Sequence, residues 1–288
     1  MGPRGQQGHV PHRRERRRHA LQDLSDLREG SVSPRTGSQP FKALILAGSR
    51  GGEVDPAAAY AGVSHKGLIM LQGQTLLARV LGAVEAAGAE TIGVSANDEA
   101  IRAALAGSKA VILPTAAGPS QSVADGASTL GFPLIVTTVD HALLKPEWIT
   151  RFLADTPASA DVAVLLAPED RVRAAAPQTK RTYLKFRDGR YSGCNLFLLR
   201  NETALNVIAV WRKVEALRKQ PWKIAAMLGP GFLIRYALGL LTLDQAVARL
   251  GRLAGVEAAA VRAHDGLAAV DVDKPSDLDL VRELVGEA

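Results

Sequence analysis

The chain has 288 residues, 47% of them hydrophobic but only 5% aromatic, and a formal net charge of +6. That length holds one large domain or two small ones, with apolar content ample for a buried core. A single cysteine, Cys194, excludes an internal disulfide and points to a reducing, cytoplasmic setting.

The charge is unevenly spread. Residues 1–40 carry eight arginines against four acids, a surplus of +4, which leaves +2 on the other 248 residues. This segment has almost no apolar run with which to bury a core, so it reads as a disordered basic extension, and it lacks the apolar stretch of a signal peptide. A basic tail can bind RNA or an acidic membrane surface, but a plain extension explains it more simply, and no nucleic-acid partner is expected.

From residue 41 short apolar runs alternate with amphipathic stretches. Phe41–Leu46 reads as a first strand, and Gln74–Ala87 as a helix with Leu76, Leu77, Val80, Leu81 and Val84 on one face. Strands follow at Thr91–Ser95, Ala110–Leu113, Pro133–Val139 and Val162–Ala167, separated by helices at Asp98–Leu105, Ser120–Leu130 and Pro146–Ala154. Strands without polar alternation are buried on both faces, which implies a parallel sheet between helices. After residue 170 the pattern changes. Tyr183–Phe186 and Leu196–Leu199 are strand-like around the turn Arg187-Asp188-Gly189. Helices are expected at Ala204–Leu217, Trp222–Met227, Phe232–Leu240 and Leu243–Ala254, then a last strand at Ala268–Val272 and a helix opened by Pro275. No run of about 18 uncharged apolar residues exists, so no transmembrane helix is expected. Ile224–Leu243 comes nearest but is split by Arg235. It leaves peripheral membrane contact open beside the simpler reading of a buried helix pair.

Five segments carry chemistry. The first strand runs into Leu46-Ala47-Gly48-Ser49-Arg50-Gly51-Gly52, a glycine-rich turn whose backbone N–H groups can approach phosphates closely. Its spacing is neither G-x-G-x-x-G nor a P-loop. Lys66, ahead of Gly73-Gln74-Thr75-Leu76-Leu77, is a cation that can neutralise a triphosphate. Asp140 closes the fourth apolar strand, and a carboxylate at such a strand end sits at the crevice of an open α/β sheet. Lys180 and Arg181 offer two cations for an acceptor phosphate. Asp271 and Asp273 alternate ahead of the last helix, so only one of them should face the crevice.

L-A-G-x-x-G, then a lysine, then a G-x-x-L-L helix, resembles the MobA-like NTP transferase family over roughly residues 41–285. That family includes molybdenum cofactor guanylyl- and cytidylyltransferases. The resemblance implies an α/β fold of the nucleotide-diphospho-sugar transferase type, a Rossmann-like three-layer, mostly parallel sheet related to glycosyltransferase A. Here it carries a helical insertion in the C-terminal half. It also implies Mg²⁺-dependent transfer of a nucleoside monophosphate from GTP or CTP to a small phosphorylated acceptor, with pyrophosphate released. Leu46, Ala47, Gly48, Ser49, Arg50, Gly51, Lys66, Asn97 and Ser122 would bind the nucleotide. Gly118–Gly126 is similar to the G-x-x-x-S-V-x-x-G segment of the cytidylyltransferases. Asp140 would hold Mg²⁺, with Asp271 the favoured second ligand and Asp273 a helix cap. Lys66 and Asp140 would be catalytic, and Asn195, in a segment similar to G-G-N, would join Lys180 and Arg181 on the acceptor side.

The sequence departs from that pattern in three places. The arginine of the glycine turn is missing or displaced to Arg50, Asp140-His141-Ala142 replaces D-x-P, and residues 201–255 are longer and more hydrophobic. A glycosyltransferase using a nucleotide-sugar and a non-catalytic nucleotide-binding protein are the alternatives. Monomer and homodimer stay equally open.

Overall fold

The computed structural model describes residues 1–2, 40–49, 55–217, 227 and 229–287. Most of the basic N-terminal segment, Arg50 and Gly51 of the glycine turn, and the helix expected over Trp222–Met227, Met227 excepted, lie outside the described residues.

In chain order the elements are β1 (Phe41–Leu46), α1 (Pro56–Tyr60), β2 (Met70–Leu71), β3 (Gln74–Thr75), α2 (Leu76–Ala86), β4 (Ala89–Ser95) and α3 (Glu99–Ala104). Next come β5 (Val111–Leu113), α4 (Pro119–Leu130), β6 (Leu134–Thr138), α5 (Pro146–Asp155), β7 (Val162–Pro168), α6 (Glu169–Ala175), β8 (Leu184–Phe186) and β9 (Gly189–Leu199). Then follow α7 (Leu205–Leu217), α8 (Pro230–Ala237), α9 (Leu243–Ala254), β10 (Ala258–Arg262) and α10 (Pro275–Leu284). Eight strands form one sheet in the order β10-β7-β9-β6-β1-β4-β5, with β8 on β9. β1 is parallel to both β4 and β6. β9 is antiparallel to each of its neighbours β6, β7 and β8, so the sheet is mostly parallel, as expected.

Alternation along β1 shows the layers. Ala43 and Ile45 pack into a core with Leu77, Val80 and Val84 of α2 and with Ile149 and Phe152 of α5. Leu44 points the other way, onto Val123 and Ala127 of α4 and Ile208 of α7. Both faces are covered, which is why the central strands carry no polar alternation. Gly126 allows α4 to lie close, since a Cβ there would come within 2.6 Å of a Leu44 methyl. α2 starts where Thr75 accepts the Ala78 N–H. α9 starts with a capping box between Thr242 and Gln245 and ends on Gly255 in the left-handed region, the conformation glycine adopts most easily.

Three expectations are corrected. Ala268–Val272 is not a strand: a 3₁₀ turn covers Gly266–Ala269. The last strand is β10, paired in parallel with β7, and its Ala258-Ala259-Ala260 run hid it because alanine has weak strand preference. β9 spans eleven residues rather than the short Leu196–Leu199. The helices α1 and α6 also form where none was expected.

Candidate active site

The chain moves from β1 outward through β4 to β5, then returns to place β6 on the other side of β1. Such a reversal opens a crevice at the carboxyl ends of the two central strands. The glycine turn and Asp140 both stand there. Ala47 N–H donates to Ser95 O at 2.9 Å and Val139 N–H to Leu46 O at 3.0 Å, so the strand ends are tied together.

Of the turn, Ala47 is buried while Gly48 and Ser49 are exposed. A Cβ on Gly48 would meet the Thr115 methyl at 2.9 Å, so the backbone passes close to the β5–α4 loop. Asn97 fixes the turn: its Oδ1 accepts from Ser49 N–H at 3.0 Å and its Nδ2 donates to Ser49 O at 3.0 Å. Ser122 Oγ accepts from Ala116 N–H at 2.9 Å and is nearly buried. Both side chains hold the loops on this side of the crevice.

Lys66 stands at the centre. Its Nζ lies 2.5 Å from Asp140 Oδ2, 3.1 Å from Asp273 Oδ1 and 3.8 Å from Asp55 Oδ2. Burial works against the ammonium, but the charges and hydrogen bonds of Asp140 and Asp273 outweigh it and raise its pKa above the ordinary lysine value. The group stays protonated at neutral pH. Thr138 donates its hydroxyl to Asp140 Oδ1. Beneath it His141 is buried, and desolvation lowers its pKa to about 4. It is therefore neutral at physiological pH and stacks on Trp148.

Asp271 is as buried as Asp140, each 7% exposed. Arg181 grips it with both terminal nitrogens, Nη2 donating to Oδ2 at 3.1 Å, and Asn195 Nδ2 donates to Oδ2 at 2.8 Å. Desolvation raises the Asp271 pKa despite these donors. Asn195 has φ +48°, a left-handed conformation that asparagine tolerates better than most residues. It sits beside the register shift between β7 and β9. Val272 N–H donates to Asp140 O at 3.0 Å, so the segments carrying the two carboxylates run side by side.

The structure thus brings Lys66, Asp140, Asp271, Arg181 and Asn195 together. Lys180 is exposed and lines, with Arg181, Thr182, Gly193, Asp273 and Lys274, a cleft of about 320 Å³. The expected cap role of Asp273 is corrected: Asp277 Oδ2 accepts from both the Asp273 and Lys274 N–H groups, which frees the Asp273 carboxylate for Lys66. Asp55, Thr138 and Asp273 were not singled out for these contacts. Asp273 stood out only as a cap, and Asp55 left a trace in sequence as an aspartate directly before Pro56, a helix-start signature.

Two cations, Lys66 and Arg181, face four carboxylates: Asp55, Asp140, Asp271 and Asp273. Among these described residues two negative charges remain, and Lys180 and Lys274 against Asp277 in the adjoining cleft reduce the excess to one. Nearly buried carboxylate oxygens are the hard donors Mg²⁺ takes, commonly one or two of them with phosphate and water completing the shell. Among the described residues no group of three or more histidines, cysteines or acids is placed to hold a metal ion. Asp140 and Asp271 fit such a partial donor set. Cys194 is buried, and that burial pushes its thiol up to about 12, so it is a protonated thiol at neutral pH.

Comparison with known proteins finds nucleotidyltransferases. Residues 43–184 match the model of the MobA-like NTP transferase domain. A hypothetical transferase from Thermus thermophilus is 31% identical, with TM-score 0.73, over 83% of this chain and 100% of that one. A Methanothermobacter nucleotidyl transferase is 18% identical, with TM-score 0.52, over 87% of this chain and 100% of that one. A 4-diphosphocytidyl-2C-methyl-D-erythritol synthase is 15% identical, with TM-score 0.53, over 86% and 100%. These last two share the fold. No curated protein matches the chain.

Proposed function

Because this chain belongs to the MobA-like NTP transferase family, we propose that it moves the nucleoside monophosphate of GTP or CTP onto a small phosphorylated acceptor. Pyrophosphate is released, as in molybdenum cofactor guanylyl- and cytidylyltransferases, and Asp140 and Asp271 hold Mg²⁺. The observation that carries the reading is the carboxylate excess among the described residues of the crevice: Asp55, Asp140, Asp271 and Asp273 about Lys66 and Arg181, beyond the carboxyl ends of β1 and β6. A site for triphosphate alone would be expected to carry surplus positive charge instead.

An oxygen of the acceptor phosphate attacks the α-phosphorus in line. A new P–O bond forms, the bond to the bridging oxygen breaks, and its electron pair leaves with pyrophosphate. The attacking oxygen is already anionic, so no general base is needed. Of the described part of the glycine turn, the exposed Gly48 lets the backbone approach the phosphates, and Asn97 and Ser122 hold that wall in place. Lys66, charged at neutral pH, exchanges a carboxylate for the phosphate oxygens and stabilises the charge that builds up on the leaving group. Mg²⁺, when bound, supplies positive charge to the phosphate oxygens. Arg181 and Asn195 fix the Asp271 carboxylate, and Lys180 receives the acceptor phosphate in the adjoining cleft. Positioning and charge neutralisation carry the catalysis.

The test is product analysis with each of the four NTPs, Mg²⁺ and a panel of phosphate monoesters. The expected result is pyrophosphate and a nucleotide-capped acceptor from GTP or CTP, lost in Asp140→Ala. Full activity of Asp140→Ala would remove its assigned role. Turnover only of nucleotide-sugars, with nucleoside diphosphate released, would make the chain a glycosyltransferase.

A further inference from the structure

Away from the crevice, seven consecutive residues, 234–240, are all exposed, and six of them are apolar or glycine. Ile234 is 58%, Leu238 66% and Leu240 48% exposed. No residue of α8 is buried. The segment is nonetheless anchored: Tyr236 meets the Phe186 ring edge-on at 5.7 Å, and Arg187 N–H donates to Leu241 O at 2.8 Å. Between α8 and α9 lies a cavity of about 730 Å³, lined by Phe232, Leu241 and Ala248 and by Arg235, Arg249 and Arg252. The one acid on its wall, Asp244, has both carboxylate oxygens taken by Arg262, at 3.0 Å each. Among the described residues the three cavity arginines have no ion-pair partner. Elsewhere exposed large apolar side chains are scattered, and scattered ones need no explanation.

We propose that the exposed apolar segment 234–240, with Arg235, Arg249 and Arg252, docks this enzyme on the surface of an anionic lipid bilayer. The charge pattern selects that occupant. Aliphatic side chains enter the boundary between headgroups and acyl chains while neighbouring arginines meet lipid phosphates. A second copy of the chain, joined by a two-fold axis, would set these arginines against themselves. RNA would satisfy the arginines and leave Ile234 and Leu238 in water. No helix among the described residues is long and apolar enough to cross a membrane, so the contact is peripheral. The β8–β9 hairpin that anchors the segment follows directly on Lys180–Thr182 of the proposed acceptor cleft, which links the docking surface to the side of the molecule where the acceptor enters.

The experiment is co-sedimentation of the full chain with vesicles of phosphatidylcholine alone or with one-third phosphatidylglycerol. It is repeated for Ile234→Ser/Leu238→Ser and for Arg249→Glu/Arg252→Glu. All these variants keep the basic N-terminal segment, so its contribution is constant. The wild type should pellet with the anionic vesicles and stay in solution with the neutral ones. The serine pair should lower partition by about tenfold or more, and the charge reversals by about fivefold or more for each arginine. Ile234, Leu238 and Arg252 are exposed and Arg249 is half-buried, and a Tm equal to that of the wild type certifies the folding of each variant. Equal pelleting of the serine pair and wild type, absence of vesicle binding by the wild type, or a wild-type dimer that the serine pair splits would each overturn the proposal.

Discussion

Two aspartates, equally buried, are held in opposite ways. Asp140 at the end of β6 is met by one lysine and one threonine hydroxyl, whereas Asp271 is gripped by a two-pronged arginine and an asparagine amide. An ammonium on a flexible stem is a point charge that can turn to another oxygen, while a guanidinium fork matches a carboxylate in one planar arrangement. The contrast assigns different work to the two sides. In the proposed reaction the Lys66–Asp140 contact is the exchangeable one, which gives way to phosphate, and the Arg181–Asp271–Asn195 cluster is the fixed wall.

The largest effect should come from breaking the exchangeable side. Asp140→Asn and Lys66→Ala should each lower kcat for pyrophosphate release on the order of 10³-fold while leaving the fold intact. A loss below about tenfold in steady-state kinetics would mean that the exchangeable pair is not where charge is stabilised.

The next effect concerns the support under Asp140. The buried imidazole of His141 has its pKa depressed to about 4, so its contribution to stability is complete above the unfolded value near 6.5 and is lost as pH falls toward about 4. Burial of His65 lowers its pKa as well and adds to the same trend. The sum for His141 alone is on the order of 3 kcal/mol. Thermal melts between neutral pH and the acid range should therefore fall steeply for the wild type and less steeply for His141→Gln. Parallel curves would contradict the burial argument.

The fixed side sharpens the comparison. Arg181→Lys keeps the charge and loses the fork, and it should reduce activity by about 10- to 100-fold, mostly through weaker Mg²⁺ dependence, whereas Lys180→Ala should raise KM for the acceptor and leave that for the NTP unchanged. Equal metal titrations for Arg181→Lys and wild type would show that orienting Asp271 does not matter. The smallest change is Ser122→Ala, which strands the Ala116 N–H and should cost about 1–2 kcal/mol in denaturant unfolding. A change in KM for the nucleotide without that loss would give Ser122 a direct contact instead.

The same division explains what the sequence could show. The first side is built from local signals: a strand ending in glycine, a lysine before a helix start, a strand ending in aspartate. The parallel sheet followed from uninterrupted apolar strands such as Leu134–Thr138. The fixed wall is assembled from Arg181, Asn195 and Asp271, which lie 76 to 90 residues apart in the contacts they make, and no local pattern records such convergence. Nothing in sequence predicted that Arg181 would be consumed by Asp271 rather than left beside Lys180. β10 was missed because three alanines carry little strand preference, and Asp273 was given a cap role that Asp277 fills because both acids stand within one turn of the helix start.

In the proposed reaction the crevice binds NTP and Mg²⁺ as one unit, its excess of carboxylates compensated by the metal. Thermal shift of the full chain with GTP or CTP, with and without Mg²⁺, tests it most directly, since a ligand stabilises the folded state by RT ln(1 + [L]/Kd). A large rise in Tm is expected only when nucleotide and Mg²⁺ are present together, with loss of the Mg²⁺-dependent part in Asp140→Asn. A shift that is the same without Mg²⁺, or undiminished in Asp140→Asn, would contradict it.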